Sequence, residues 1–166
     1  MRKLALLLGA ISLFLLPMAA HAQGFDAYGG YSYFRLDSSP NTSNLNGYDL
    51  SFTDSFFKVF GVTADLGGDY GKINGVSSTL HTFLAGPEVR FPSTISPFAR
   101  IMIGGAHVSG GGSSDTSFAT AIGGGVDIHE GHFLSFRPLQ IDYVRTNFGG
   151  TAQNNLRYSV GVDFRF

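Results

Sequence analysis

The sequence predicts an all-β fold, an eight-stranded antiparallel up-and-down transmembrane β-barrel. Three observations support this prediction. Apolar and polar residues alternate with a period of two in one segment after another, as in a pleated strand whose two faces meet different surroundings. The 166 residues include 23 Gly, 16 Phe and 7 Tyr; glycine disfavours helices, whereas aromatic residues favour sheets. The chain also opens with an export leader.

Residues 1–22 have the three parts of a secretory signal peptide. Arg2 and Lys3 form the charged start, an uninterrupted apolar stretch runs from Leu4 to Leu16, and Ala20-His21-Ala22 has the small-x-small form of a cleavage site. We expect cleavage after Ala22, so that residues 23–166 form a single domain. A retained membrane anchor is the alternative, but the apolar stretch is shorter than the ~20 residues that a spanning helix needs.

Charge and cysteine content exclude several classes of function. Removing the 22 leader residues from 166 leaves 144, and removing Arg2 and Lys3 from 11 basic residues leaves 9 against 12 acidic ones, a net charge of −3. This balance offers no basic patch for nucleic acid. Because the chain has no cysteine, it has no disulfide, no thiolate nucleophile and no cysteine-ligated metal.

Eight segments carry the alternation, and the last of them is the clearest. From Leu156 to Phe166 every second residue is apolar, and the residues between are small, polar or charged. The predicted strands are residues 25–36, 45–54, 57–68, 79–91, 96–108, 116–129, 133–147 and 155–166. Their lengths suit the roughly 9–11 residues that a tilted strand needs to cross a bilayer. An even number of strands allows an antiparallel sheet to close, which lipid requires because an open edge would leave backbone groups unpaired.

The links between these segments predict the direction of the chain. Short links are expected around Ser55, at 92–94 and at 130–131, and longer polar links at 38–44, 69–78, 109–115 and 148–154. Tight periplasmic turns and longer external loops are typical of outer-membrane barrels. We therefore expect both termini on the periplasmic side.

The two faces of the strands predict what surrounds them. Phe, Tyr, Val and Ile side chains would point outward into lipid, while small and charged residues would fill a lumen just wide enough for side chains. We interpret the charges as a salt-bridged network that fills the lumen, since isolated charges there would be costly. A gated ion path or small pore is the alternative. The expected inward charges are Asp49, Asp65, Glu88, Arg90, Arg100, Asp127, Asp142, Arg157, Asp163 and Arg165.

Three segments and the leader carry a family resemblance. The segments are Gly29-Gly30-Tyr31-Ser32-Tyr33, Gly123-Gly124-Gly125-Val126-Asp127 and the final stretch from Tyr158 to Phe166. With these features the chain resembles the OmpA-type outer-membrane β-barrel domain superfamily, which includes small opacity-like surface proteins.

The resemblance implies an outer-membrane location, contact with outer-membrane lipid and periplasmic chaperones, and a monomeric state. It also implies that Phe164 and Phe166 form the signal read by the barrel-assembly machinery. The sequence has no peptidoglycan-binding domain after Phe166, unlike full-length OmpA, so the resemblance does not imply tethering to the cell wall.

The sequence contains no recognisable catalytic motif, and we expect neither enzymatic activity nor a cofactor. His81 and His107 lie on predicted strands but should face outward, which argues against a Ser-His-acid set. His129 and His132 could ligate a metal, but no third ligand is evident, and we interpret them as part of a solvated turn. The glycine-rich segment 109–114 lacks the lysine of a phosphate loop, so we expect a flexible external loop there.

Four functions remain open at this point. The leading hypothesis is a structural protein of the envelope with a largely filled polar lumen. A narrow porin-like channel is the second, and a surface adhesin that acts through the external loops is the third, although such short loops offer little apolar binding area. An enzyme, such as a lipase or lipid A deacylase, is the last.

Overall fold

The structure, a computed structural model, describes residues 24–38, 41–73, 75–148 and 150–166. Consecutive strands pair antiparallel and the last pairs with the first, so the sheet is a closed up-and-down barrel. The predicted fold class is therefore confirmed. The strands are β1 (Phe25–Ser38), β2 (Asn41–Ser55), β3 (Phe60–Ile73), β4 (Val76–Arg90), β5 (Ile95–Gly110), β6 (Ser113–Glu130), β7 (Leu134–Phe148) and β8 (Thr151–Arg165).

The predicted signal peptide, residues 1–22, and its cleavage site after Ala22 lie outside the described residues. Within the part of the chain that the structure describes, no helix is long and apolar enough to span a membrane.

Strands β1 and β8 close the barrel. Their register runs from Asp26 opposite Arg165 to Arg35 opposite Leu156. Beyond the ladder, the amide of Phe166 donates to the carbonyl of Phe25 over 2.9 Å. Because every strand has two partners, the sheet has no open edge, which is the condition that a bilayer imposes. We call the end of the barrel that holds Phe25 and Phe166 the lower end, and the opposite end the upper end.

The links between strands differ from the prediction. At the upper end, only two residues separate each strand from the next, whereas at the lower end the links are residues 56–59, 91–94 and 131–133. The expected long links at 38–44, 69–78, 109–115 and 148–154 were wrong, because the β-ladder continues through most of these residues.

The reason is that these strands continue above the outer apolar belt, where their outer face is polar. Their composition then resembles that of a loop, while their backbone stays hydrogen-bonded to the next strand. The turns after β3, β5 and β7 reverse tightly because they contain glycines with positive φ, at Gly75 (83°), Gly111 (60°), Gly112 (82°) and Gly150 (79°). Two-residue hairpins need such left-handed conformations.

Two rings of aromatic side chains border an apolar belt on the outer surface. Phe60 and Tyr70, which belong to different rings, are ten residues apart on β3. At about 3.3 Å per residue and a tilt of about 40°, this spacing spans roughly 25 Å, the height of the apolar band of outer-membrane barrels. The lower ring contains Phe25, Phe52, Phe60, Phe91, Phe133, Phe164 and Phe166, and the upper ring contains Tyr31, Tyr33, Tyr48, Tyr70, Tyr143 and Tyr158.

Apolar side chains fill the upper part of the barrel interior, contrary to the expectation that small and charged residues would fill it throughout. Phe34 and Val144, of residue types expected to point outward, point inward and are fully buried. Strict alternation still holds on β1, but its inward face changes from polar to apolar above Ser32. The apolar core consists of Phe34, Leu36, Leu45, Leu80, Leu84, Met102, Ala106, Ala119, Ala121 and Val144.

A β-bulge in β7 changes which residues face inward. The pairing with β8 shifts register between Arg137 and Gln140, and both Pro138 and Leu139 are exposed. Proline has no amide to donate to a ladder, which makes it a frequent bulge residue. Above the bulge the even-numbered residues of β7 point inward, whereas below it the odd-numbered residues do. Arg137 therefore points inward and is 1% exposed.

The position of Ile101 in the belt gives a direct test of the solvent around the barrel. Ile101 is 58% exposed on the outer face of β5, and Ser109 lies on the same face of the same strand near its upper end. If the belt lies in lipid, Ile101→Arg should lower the free energy of unfolding by about 2–4 kcal/mol, whereas Ser109→Arg should lower it by about 1 kcal/mol or less. Denaturant titrations in lipid vesicles, followed by gel mobility, measure both. Equal, small losses would contradict a lipid environment.

Candidate functional site

The ten charges expected in the lumen all lie on the inner face of the barrel. Nine belong to buried residues, and Arg165, at the lower mouth, has a side chain that is 36% exposed. Together with inward residues that the sequence analysis did not include, they form what we call the lumen charge network. It has two parts, a central cluster and a lower cluster.

The central cluster is built around the carboxylate of Asp142. Arg100 donates to it through Nε and Nη2, over 3.0 and 2.8 Å. Arg157 donates to it through Nη2 over 3.1 Å. The same two arginines hold Asp65, whose carboxylate oxygens lie 2.9 Å from Arg100 and 2.8 Å from Arg157. Asp49 completes the cluster, 3.5 Å from Arg157 Nη1.

The lower cluster is built around Asp127. Arg90 Nη1 lies 2.6 Å from one carboxylate oxygen of Asp127, and Arg137 donates to both oxygens over 2.6 and 3.0 Å. Arg90 also donates to Glu88 over 2.7 Å. Three further residues complete the cluster: Asp26 lies 3.4 Å and Asp163 3.8 Å from Arg90, and Arg165 donates to Asp26 over 3.2 Å.

Gln140 joins the two clusters through its side-chain amide. Its oxygen accepts a hydrogen bond from Arg137 Nη1 over 2.7 Å, and its nitrogen donates to Asp49 over 2.7 Å and to Asp142 over 3.0 Å. A single amide therefore contacts one guanidinium group below and two carboxylates above. The network contains at least one residue from each of the eight strands.

Aromatic rings line the lower cluster. The guanidinium carbon of Arg137 lies 4.2 Å from the centroid of the Tyr28 ring and 4.3 Å from that of the Phe98 ring. The guanidinium carbon of Arg90 lies 5.2 Å from the Phe98 centroid. Such stacking stabilises a desolvated cation and holds it in place without using its N–H donors.

Glycines on the inner face leave space for the buried charges. A Cβ at Gly67 would clash with Thr82 Oγ1 and would lie 2.9 Å from Arg157 Nη1. A Cβ at Gly123 would clash with the carboxylate of Asp142. Glycine at these inward positions therefore leaves space both for the charged side chains and for the groups beside them, the Thr82 hydroxyl at Gly67 and the Ile141 carbonyl at Gly123.

Sequence reasoning missed four members of this interior. Asp26 lies in the segment whose register was least clear, and Asp69 in a segment taken for a loop. Arg137 was missed because strict alternation along β7 points it outward. Pro138, within a predicted strand, was the signal that could have revealed the bulge. Gln140 was expected to point inward but was not included with the charges.

Asp69 differs from the other lumenal acids. It is fully buried, and unlike Asp65 and Asp163 it makes no ion pair with a described residue. It lies opposite Leu80 in the register of β3 and β4, so it borders the apolar core. Counting Asp69, eight buried acids face five inward arginines in the described part of the chain, a formal charge of −3.

The histidines lie outside the network or at its lower margin. The ring of His81 lies edge-on to that of Tyr70 on the outer surface, and Nδ1 of His107 lies 2.7 Å from Thr116 Oγ1. His129 Nδ1 lies 2.6 Å from Ser135 Oγ, and its Nε2 is 3.4 Å from Arg165. The structure gives no group of three or more metal-ligating side chains among the described residues.

Solved structures share this fold, whereas no protein-family model and no curated protein sequence matches the chain. Neisserial surface protein A is 17% identical with a TM-score of 0.66, over 85% of this chain and 95% of that one. Ail, the attachment invasion locus protein of Yersinia pestis, is 17% identical with a TM-score of 0.62, over 86% and 98%. The outer membrane protein OprG from Pseudomonas aeruginosa is 11% identical with a TM-score of 0.59, over 88% and 97%.

The chain has the fold of a small outer-membrane β-barrel. The resemblance expected from the sequence is thus confirmed for the fold of small eight-stranded outer-membrane barrels.

Removing the charge of Asp142 tests the importance of the central cluster. Asp142→Asn should lower the free energy of unfolding by about 3–5 kcal/mol, because Arg100 and Arg157 would lose a shared counter-charge while buried. Glu130→Gln is the matched control, since Glu130 is exposed at the end of β6, and it should change stability by less than about 0.5 kcal/mol. Denaturant titration of the refolded barrel measures both, and similar values for the two variants would contradict the role given to the cluster.

Proposed function

We propose that this chain is a non-catalytic structural protein of the outer membrane, a barrel that spans the bilayer and whose own side chains close its lumen. The apolar belt between the two aromatic rings supports the membrane location, since such a surface is stable only in lipid. The fold shared with outer-membrane barrels supports the same location.

The observation that carries the closed lumen is the stacking of three filled layers along the barrel axis. The lower cluster occupies the lower mouth, the central cluster lies above it, and the apolar core lies above both. Within the central cluster, the side chains of Arg100, Arg157 and Asp65 are fully buried. An ion crossing the barrel would have to break these pairs and then pass between apolar side chains.

Planar-bilayer recording tests this proposal. The refolded protein should add no discrete current steps at either polarity, because no continuous polar path leads through the apolar core. Insertion is checked on the same sample by its heat-modifiable gel mobility. Reproducible steps from the folded protein would contradict the closed lumen and support the channel alternative. The formal charge of −3 inside the barrel means that such a channel should select cations over anions.

Recognition at the cell surface is a second candidate, and a cleft at the upper end favours it. The cleft measures about 470 Å³ and lies between the β3–β4 and β5–β6 hairpins, where Ile73, Val76 and Val108 line it together with Ser113 and Ser114. Ail has also been solved in complex with the heparin analogue sucrose octasulfate.

In this chain any recognition surface would consist of hairpin ends, because the upper turns contain only two residues. Binding of cells or matrix that is lost on replacing Val76 and Val108 by serine, with the barrel still folded, would favour this candidate.

We also propose outer-membrane lipid, periplasmic chaperones and the barrel-assembly machinery as partners, with Phe164 and Phe166 as the assembly signal and the monomer as the working form. Phe166 packs edge-on against Phe133 with ring centroids 5.1 Å apart, and it is 68% exposed and so accessible to a partner.

Substitution within the lower aromatic ring tests the assembly signal. Phe166→Ala should lower the amount of barrel assembled in cells severalfold, because the aromatic side chain that the machinery reads is removed. Phe91→Ala is the matched control, since Phe91 belongs to the same ring and is 62% exposed. Gel mobility of membrane fractions measures assembly, and equal losses in the two variants would show that Phe166 contributes only to the ring.

A further inference from the structure

Three cations point outward near the upper end of the barrel. Arg35, Lys72 and Arg145 are all exposed, in contrast to the five arginines of the lumen charge network. No described side chain makes an ion pair with any of the three. They are therefore available to a partner outside the barrel.

Each of these cations follows an aromatic residue of the upper ring by two positions. Arg35 follows Tyr33 on β1, Lys72 follows Tyr70 on β3, and Arg145 follows Tyr143 on β7. Residues two apart share a face of the strand, so each cation lies directly above a tyrosine, further from the bilayer centre. The arrangement thus occurs on three of the four strands that run upward.

The three cations lie on one side of the barrel. Arg145 is opposite Asn154 of β8, and Arg35 is opposite Asn44 of β2. Lys72 lies on β3, the next strand after β2. Cationic and amide side chains therefore follow one another over β7, β8, β1, β2 and β3, and we call this surface the cationic sector. The remaining strands carry Ser77, Thr79, His107, Ser109 and Thr116 at the corresponding outward positions.

The depth of the sector indicates its partner. Tyrosines of outer-membrane barrels lie at the boundary between acyl chains and headgroups. Two residues further along a tilted strand rise by about 5 Å, which brings the cations level with the phosphate groups of the headgroups. Basic side chains at this level attract anionic lipids, and long Lys and Arg side chains reach the headgroups readily.

We propose that the cationic sector binds the phosphate groups of anionic lipids in the leaflet at the upper end of the barrel, with the three cations as the charged contacts and Asn44 and Asn154 as neighbouring amide donors. The proposal rests on the proposed membrane location. It adds that the lipid shell is not uniform: anionic lipids gather against β7, β8 and β1–β3, and neutral lipids contact β4–β6 without such a preference.

The absence of tryptophan from the chain permits a local measurement of the lipid shell. Tyr158→Trp places a single fluorophore within the cationic sector, on β8 beside Tyr33. Phe83→Trp places one on β4, outside the sector, where Phe83 is exposed and lies opposite Leu66 of β3 and Gly105 of β5. Each protein is refolded into mixtures of phosphatidylcholine and phosphatidylglycerol in which one or the other lipid is brominated. Quenching by each brominated lipid gives the relative affinity of the two lipids beside that tryptophan.

We expect the reporter inside the sector to show a preference of at least about fivefold for phosphatidylglycerol, the factor expected from even one such cation near a headgroup. The reporter on β4 should show a ratio close to one. Added salt should reduce the preference at the first site, since exposed charges are screened. In the Tyr158→Trp protein, the combined variant Arg35→Gln, Lys72→Gln and Arg145→Gln should bring the ratio close to one.

A preference that is equal at the two sites, or that survives the triple substitution, would overturn the proposal. Heat-modifiable mobility shows that each variant is folded, and substitution at three exposed positions leaves the lumen intact. The proposed membrane location has a separate readout in the same experiment. Quenching by brominated phosphatidylcholine shows that the barrel is inserted whatever the lipid preference is, whereas no quenching by either lipid would contradict insertion itself.

Discussion

The pairing of guanidinium and carboxylate groups inside the barrel is the interaction on which the rest of the structure depends. A closed sheet of eight strands has an interior only as wide as its side chains, and charges enclosed there lose their hydration. Asp142 compensates two arginines at once, and Asp127 does the same in the lower cluster. These pairs join strands that are far apart in the sequence, so they also select one pairing register. If one strand slipped by one residue against its neighbour, its charged side chains would turn to the outer face.

Space and position inside the barrel follow from this pairing. Gly67 and Gly123 leave room where Arg157 and Asp142 lie. The bulge at Pro138 turns Arg137 toward Asp127, and stacking on Tyr28 and Phe98 holds its guanidinium group. Above the central cluster there are fewer partners for a charge, and the interior becomes apolar. Asp69, at that boundary, is the buried acid of the described chain that makes no ion pair.

In the proposed membrane location, the outside of the barrel meets a different constraint, because no water would reach its middle. Backbone groups are satisfied by closure, and side chains between the aromatic rings are apolar. Polar character returns on the outer face beyond the tyrosines, where the strands continue as hairpins. This extension explains why Lys72 and residues 113–115 are polar and yet belong to strands. It also places Arg35, Lys72 and Arg145 outside the apolar belt.

The sequence by itself determined the barrel, because the alternation of residues such as Tyr158 and Arg157 shows directly which face each side chain occupies, and a pleated strand has only two faces. The inward direction of all ten expected charges follows from the same rule.

Only the tertiary structure decided which charges meet, since Arg157 and Asp65 become neighbours across a lumen that neither residue's local sequence describes. It also decided which face of β7 Arg137 occupies, because that depends on a backbone bulge. It decided the length of the upper links as well, because that depends on how far the ladder continues above the apolar belt. Local periodicity specifies faces, whereas pairing distances, bulges and the ends of strands depend on contacts between segments remote in the chain.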